Sequence, residues 1–251
     1  MNKVVLVVLG ILGIILIVRR ERSARTGDVA PQDQTEEGRY RPYGDEGLGA
    51  SVAILVDQSG SMREFGREDR RPKYRVAREA IAEMLAATDS FVARQPGFPV
   101  KVGLFAFSSG VSTLAPVVPY DGPALRTALR EMPPPNGGTA IGDAMDAARD
   151  ALYRAGTIRK YILVVTDGEN TEGRPPELVA QEIARRSEGA VKMYFVAFDI
   201  DAAKFDFVRR VHGEVLGASN AVALRASLDT IYRGRILAEA MDAGETLTPK
   251  P

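Results

Sequence analysis

From Gly49 onward the chain alternates between short apolar runs and longer stretches whose apolar residues recur at helical spacing. Ser51-Val52-Ala53-Ile54-Leu55-Val56 is apolar without interruption and ends at Asp57, the pattern of a strand buried on both faces. After a charged loop from Arg63 to Pro72, the stretch from Tyr74 to Val92 sets Val76, Ala80, Ile81, Met84, Leu85 and Phe91 at helical spacing. Val100 to Phe107 reads as a second strand, and Val111 to Val118, interrupted by Pro116, as a short edge strand. Pro123 to Met132 predicts a helix with proline suitably near its start. Pro133 to Pro135 then forbid helix and lead into Asn136-Gly137-Gly138-Thr139. Ala140 to Tyr153 is an alanine-rich helix closed by Gly156, and Tyr161 to Thr166 an apolar strand ending at Asp167. The last third predicts a helix over Pro175 to Arg186, a strand over Val191 to Phe198 and a helix over Ala203 to Val211. A short strand over Val215 to Leu224 and a closing helix over Leu228 to Met241 complete the order. This alternation predicts an α/β domain, doubly wound, with a mainly parallel central sheet and helices on both faces.

Residues 1–18 are a separate object. Val4 to Val18 is apolar and uncharged, bounded by Lys3 and by Arg19-Arg20-Glu21-Arg22. Counted with Met1 and Asn2 it reaches roughly 27 Å as a helix, close to the roughly 30 Å of a bilayer's hydrocarbon core. The expectation is one transmembrane helix. A cleaved signal peptide competes with it, but Ser23-Ala24-Arg25 does not supply the small-x-small pattern of a cleavage site. The arginines after the span outnumber Lys3 plus the terminal amine, which favours a cytoplasmic over an extracytoplasmic domain. Residues 19–48, rich in Arg, Gly, Pro, Gln, Asp and Glu, read as a flexible linker. Residues 49–241 form the folded domain, and 242–251 a polar, fraying tail.

Composition narrows the function classes. A chain of 251 residues with 45% hydrophobic content supports one sizeable core, and equal numbers of acidic and basic residues, 33 each, give no global field for nucleic acid. The absence of cysteine removes disulfides and thiolate zinc sites without fixing a redox compartment. Both glycine-rich phosphate motifs are absent, as is a Gly-x-Ser-x-Gly elbow. His212 is the sole histidine and reads as a structural or surface residue. Phe105, Phe107, Tyr161 and Phe195 are most simply core.

Three stretches remain that carry chemistry: Asp57-Gln58-Ser59-Gly60-Ser61, Thr139 after Gly137-Gly138, and Asp167-Gly168. Each alone has an ordinary explanation as a turn, cap or loop. Together they offer only hard oxygen donors, and both aspartates follow a predicted strand. In open parallel sheets ligands sit outside the carboxyl ends of the strands, where strand order reverses. If those two strands are central neighbours, both carboxylates enter one crevice and Thr139 reaches the same point. Such a donor set suits Mg2+, Mn2+ or Ca2+. Glu169 and Asn170 stand close enough to tune the rim, or to cap the next loop. The basic residues Arg63, Arg67, Arg70, Arg71, Lys73 and Arg75 form either a solvated loop or a steering surface for an acidic partner.

Asp57-x-Ser59-x-Ser61, with Gly138-Thr139 and Thr166-Asp167-Gly168, resembles the metal-ion-dependent adhesion site of von Willebrand factor A domains, in particular the membrane-anchored bacterial type. The resemblance covers about residues 50–240 and the order of elements. It implies that Asp57, Ser59 and Ser61 bind the ion directly or through water, that Thr139 alternates between direct and water-mediated contact, and that Asp167 completes the shell. It also implies a protein partner whose acidic residue takes the remaining position, with a chaperone-like ATPase or an envelope assembly as candidates. The expected function is scaffolding or assembly at a membrane, without catalysis. Two other readings stay open: a metal-dependent phosphatase with Asp57 as nucleophile, and a metal-independent structural anchor. Ser59 stands where haloacid-dehalogenase-type phosphatases carry a second aspartate, which disfavours the first of these.

Overall fold

The computed structural model describes residues 38–239. One sheet contains β1 (Gly47–Asp57), β2 (Val100–Phe107), β3 (Val111–Pro119), β4 (Thr157–Thr166), β5 (Val191–Phe198) and β6 (Glu214–Ala218), in the order β3-β2-β1-β4-β5-β6. All neighbours are parallel except β3, which returns antiparallel along β2. An edge is where Pro116 and Pro119 belong, because proline donates nothing to a ladder.

Among the described residues six α-helices cover the sheet: α1 (Lys73–Arg94), α2 (Gly122–Glu131), α3 (Ile141–Ala155), α4 (Pro176–Arg186), α5 (Asp206–Arg210) and α6 (Ala221–Ile231). Alternate residues of β1 serve two cores. Val52, Ile54 and Val56 pack with Val76, Ile81, Leu125 and Leu228 from α1, α2 and α6. Ala53 and Leu55 pack with Ile141, Met145, Val179 and Ile183 from α3 and α4. A central strand covered on both faces has no solvent side, which is why its sequence shows no polar alternation. From β1 the chain runs outward to β2 and β3, then returns to β4 on the opposite side of β1. The reversal point lies between β1 and β4.

Several predicted boundaries differ from the observed ones: β1 and β4 begin earlier, at Gly47 and Thr157. Val215 to Leu224 is strand only as far as Ala218, because the Asn220 side chain accepts from the Ala223 N–H at 2.9 Å and caps α6. The closing helix accordingly begins at Ala221, and a π-helical segment, Tyr232–Leu237, continues it. The helix predicted over Ala203 to Val211 is divided into a 3-10 turn, Ala202–Phe205, and the short α5.

The described residues begin inside the linker expected over 19–48, whose residues 19–37 lie outside them, and Tyr40 packs on the domain. The Tyr40 ring meets two guanidinium groups, 4.7 Å from Arg149 and 4.2 Å from Arg186 measured to its centroid, and packs 5.3 Å from the ring of Tyr153. Its amide donates to Arg186 O. The expected membrane span over 1–18 and the tail over 242–251 lie outside the described residues. Among the described residues no helix is long and apolar enough to cross a membrane.

Candidate metal centre

Val56 pairs with Val165 across the reversal point, so Asp57 and Thr166 leave the sheet side by side. Thr166 Oγ1 donates to Asp57 Oδ2 at 2.5 Å, and the Ser59 amide donates to Asp57 Oδ1 at 2.7 Å. The Asp57 carboxyl is fully buried. Burial raises its pKa from 3.8 to about 6; the bonds from Ser59 and Thr166 oppose the rise, and the charge of Asp167 adds to it. A 3-10 turn, Gly60–Arg63, then carries Ser61 back toward β4. The Ser61 hydroxyl lies 3.1 Å from that of Ser59 and donates to Asp167 Oδ1 at 2.8 Å. Hydrogen bonds therefore join Asp57, Ser59, Ser61 and Asp167 in one run, the first link through the Ser59 amide and the others through the two serine hydroxyls.

Thr139 is brought in by backbone contacts on both sides of its loop. Asn136 N donates to Gln58 O at 2.8 Å, and Gly60 N to Gly137 O at 3.0 Å. Gly137 has φ +77, and a Cβ there would stand 2.6 Å from Ser109 Oγ. On the other side, Thr139 N donates to Thr171 Oγ1 at 2.9 Å and Thr171 N returns a bond to Thr139 O at 2.9 Å. Asn170 Oδ1 accepts from Ile141 N at 2.7 Å and caps α3 from outside its own sequence. The Thr139 hydroxyl is thereby released from capping duty. A Cβ built on Gly168 would lie 3.6 Å from Thr139 Oγ1 and 3.8 Å from Ser61 Oγ, so both hydroxyls border the same point beside Asp167. Asn170 performs the capping alternative read from the sequence, although for α3 rather than for its own loop.

Two further groups at the site are missed by reading the sequence. Lys73, the first residue of α1, is buried, and its ammonium lies 2.9 Å from Asp167 Oδ2. Asp199, immediately after β5, lies 3.6 Å from the same nitrogen and Glu64 3.8 Å. Burial lowers the Lys73 pKa, but the hydrogen bond and charge of Asp167, with Asp199 and Glu64, outweigh it and leave the pKa above the ordinary lysine value. In the sequence Lys73 is one of several cations in a basic loop, and nothing in its neighbours marks it as the one that turns inward. The signal for Asp199 is its place after an apolar strand, the same signal that marks Asp57 and Asp167. His212 is exposed, in a left-handed turn at φ 64 after α5.

The donor set fits a hard divalent cation. Asp57 is a buried carboxylate held by an amide and a hydroxyl, and further hydroxyls lie alongside it. Among the described residues no group of three or more His, Cys, Asp or Glu side chains is placed to hold a metal, so a cation here draws on serine and threonine hydroxyls beside the aspartates.

Residues 52–169 match the family model described as the von Willebrand factor type A domain, a span that contains Asp57, Ser59, Ser61, Thr139 and Asp167. No curated protein matches the sequence significantly. Several solved structures share the fold. The PilB minor pilin from Streptococcus sanguinis is 14% identical with a TM-score of 0.63, over 84% of this chain and 65% of the pilin, so the chain spans about two thirds of that protein's length. An aerotolerance-related membrane protein from Bacteroides fragilis is 19% identical with a TM-score of 0.56, over 74% of this chain and 100% of its own. BatB from Bacteroides thetaiotaomicron, described as a conserved hypothetical protein, is 20% identical with a TM-score of 0.58, over 76% and 100%. Residues 52–169 are thus similar to the von Willebrand factor type A domain, and the folded part of this chain shares the fold of these solved structures.

Proposed function

We propose that the domain binds a protein partner through a divalent cation, Mg2+ or alternatively Mn2+ or Ca2+, held by Asp57, Ser59, Ser61, Thr139 and Asp167 as a metal-ion-dependent adhesion site. The observation that carries this reading is the unbroken chain from Asp57 through Ser59 and Ser61 to Asp167 at the reversal point of the sheet. In that run Asp167 orients the Ser61 hydroxyl, which gives it its proton and keeps lone pairs for a cation, while Asp57 holds the Ser59 amide. Thr139 is fixed by its backbone alone, which leaves its hydroxyl for the site. When bound, the cation supplies an electrophilic position for a carboxylate oxygen of another protein.

Catalysis with Asp57 as a phosphatase nucleophile is disfavoured because Ser59 stands where haloacid-dehalogenase-type phosphatases carry a second aspartate. Family members act mainly in adhesion and assembly, and the reading extends that role to this chain. With the apolar run over 1–18 as its anchor, the chain works at a membrane as a single-pass protein with its domain on the cytoplasmic side. A chaperone-like ATPase or an envelope assembly is the proposed class of partner. That the Bacteroides fragilis relative is a membrane protein is in keeping with this setting. Calorimetric titration of the chain with Mg2+ and Mn2+ tests the metal. Purification from membranes with and without chelator, using the wild type and Asp57→Ala, tests the partner; an unchanged partner set counts against a metal-mediated contact.

A further inference from the structure

We infer that Lys73 is a resident counter-cation of this site: its ammonium balances Asp167 when no metal is present and thereby weakens the site's hold on a divalent ion. The inference rests on the metal-binding reading above and adds a residue that the motif does not contain.

A surface lysine ordinarily extends its charge into water and leaves only its methylene stem on the protein. Lys73 does the opposite, with 6% of its surface exposed and its nitrogen among the Asp167, Asp199 and Glu64 carboxylates. The backbone gives it little freedom to leave. Lys73 N donates to Glu64 O at 2.9 Å, and a bridge between Phe65 and Pro72 closes the intervening loop. That loop is pinned in turn at α6, where Asp69 Oδ2 accepts from Ala221 N at 2.6 Å and Glu68 Oε2 accepts from Asn220 Nδ2 at 2.5 Å. The basic loop is therefore a docked strap that delivers one of its cations to the site.

The consequence is electrostatic. Asp167 Oδ1 is engaged by Ser61 and Oδ2 by Lys73. A divalent ion arriving beside Ser61 and Asp167 meets a carboxylate already paired, and a fixed like charge close by. Neither is well screened by salt, because the ammonium is buried. The same charge makes the loaded site more positive and so favours an anionic ligand on the cation.

The test is calorimetric titration of the 251-residue chain with MnCl2, comparing wild type with Lys73→Met, Lys73→Gln and Lys73→Arg, alongside melting curves in EDTA and in Mn2+. Removing the charge is expected to tighten Mn2+ binding at least tenfold in Lys73→Met and Lys73→Gln, while Lys73→Arg stays within about threefold of wild type. Both neutral variants should melt lower in EDTA and recover in Mn2+, because the metal replaces the missing charge. Binding by the neutral variants alone, with none by wild type, would be the strongest support. Wild-type affinity, or weaker, in a folded Lys73→Met or Lys73→Gln would overturn the role of Lys73 and leave the metal site standing. No binding by any of the four would overturn both. Should the neutral variants fail to fold in EDTA, folding in Mn2+ supports the inference and failure in both media refutes it.

Discussion

Replacing Asp57 by asparagine should stabilise the metal-free domain as pH rises above the ordinary carboxylate range, and not below it. The carboxyl is buried, and its pKa is raised from 3.8 to about 6 mainly by that burial. A raised pKa in the folded state means that folding favours the protonated form. The associated stability is complete below about pH 4, falls as pH rises through about 6, and is absent at about pH 8, where a buried negative charge must be carried. The displacement corresponds to about 3 kcal/mol. Asparagine has nearly the same shape and keeps the bonding pattern: its carbonyl can accept from Ser59 N, and its NH2 can donate to Thr166 Oγ1, which then donates to Gly168 O, 3.1 Å away. Melting of wild type and Asp57→Asn in EDTA should therefore diverge with pH. The variant should melt on the order of 6–12 °C higher at about pH 8 for a domain of this size, with the two converging near pH 4. A pH-independent difference, or a variant less stable at pH 8 than at pH 5 relative to wild type, would refute the assignment of a strained buried charge to Asp57. Adding Mn2+ at pH 8 should close or reverse the gap by stabilising wild type alone.

Further tests address the metal and the scaffold around it. Because a proton on Asp57 competes with a cation, apparent Mn2+ affinity measured by calorimetry should be nearly constant above about pH 7 and fall by up to about tenfold per pH unit below about 6. Asn170→Ala removes the cap that α3 takes from Asn170 and should cost about 1–2 kcal/mol in urea unfolding, with Mn2+ affinity lowered as well because the Thr139 loop loosens. Gly142→Ala places a Cβ 2.1 Å from Arg174 O; despite alanine's better helix propensity, the backbone clash should give a net loss of about 1–3 kcal/mol by the same assay.

The fold is largely legible in the sequence because its strongest signals are long and redundant. β1 and β4 are apolar on both faces, so their runs stand out against the amphipathic helices between them, and prolines mark the edge strand and the break before Asn136. The features that escape such a reading depend on single side chains. Asn220 turns a nominal strand into the first turn of α6 through one cap, and its neighbours Ala221-Val222-Ala223-Leu224 suit either structure. Tyr40 anchors a polar segment through contacts of its ring with the Arg149 and Arg186 guanidinium groups, two residues more than 100 positions away in the chain. Composition over 19–48 contains no trace of that partnership, because it exists only once α3 and α4 are packed.

The site divides along the same line. Asp57, Ser59, Ser61 and Asp167 are legible as a group because they occupy strand ends, and a parallel sheet brings adjacent strand ends together whatever the side chains are. Thr139 is legible through its glycines, which allow the loop to lie against Gln58 and Ser109. Lys73 has neither kind of signal. It stands among six basic residues in a charged segment, and local sequence gives no reason why this one should be buried. The reason lies in Asp199, which ends a different strand 126 positions later and faces the same nitrogen as Asp167. Adjacent carboxylates at the ends of β4 and β5 create a negative well, which Lys73 enters from the first turn of α1 while Arg67 stands 3.6 Å from Asp199 at its rim. A motif specifies which oxygens are offered to a cation; the charges around those oxygens determine how readily they take one, and those charges are assembled only by the fold.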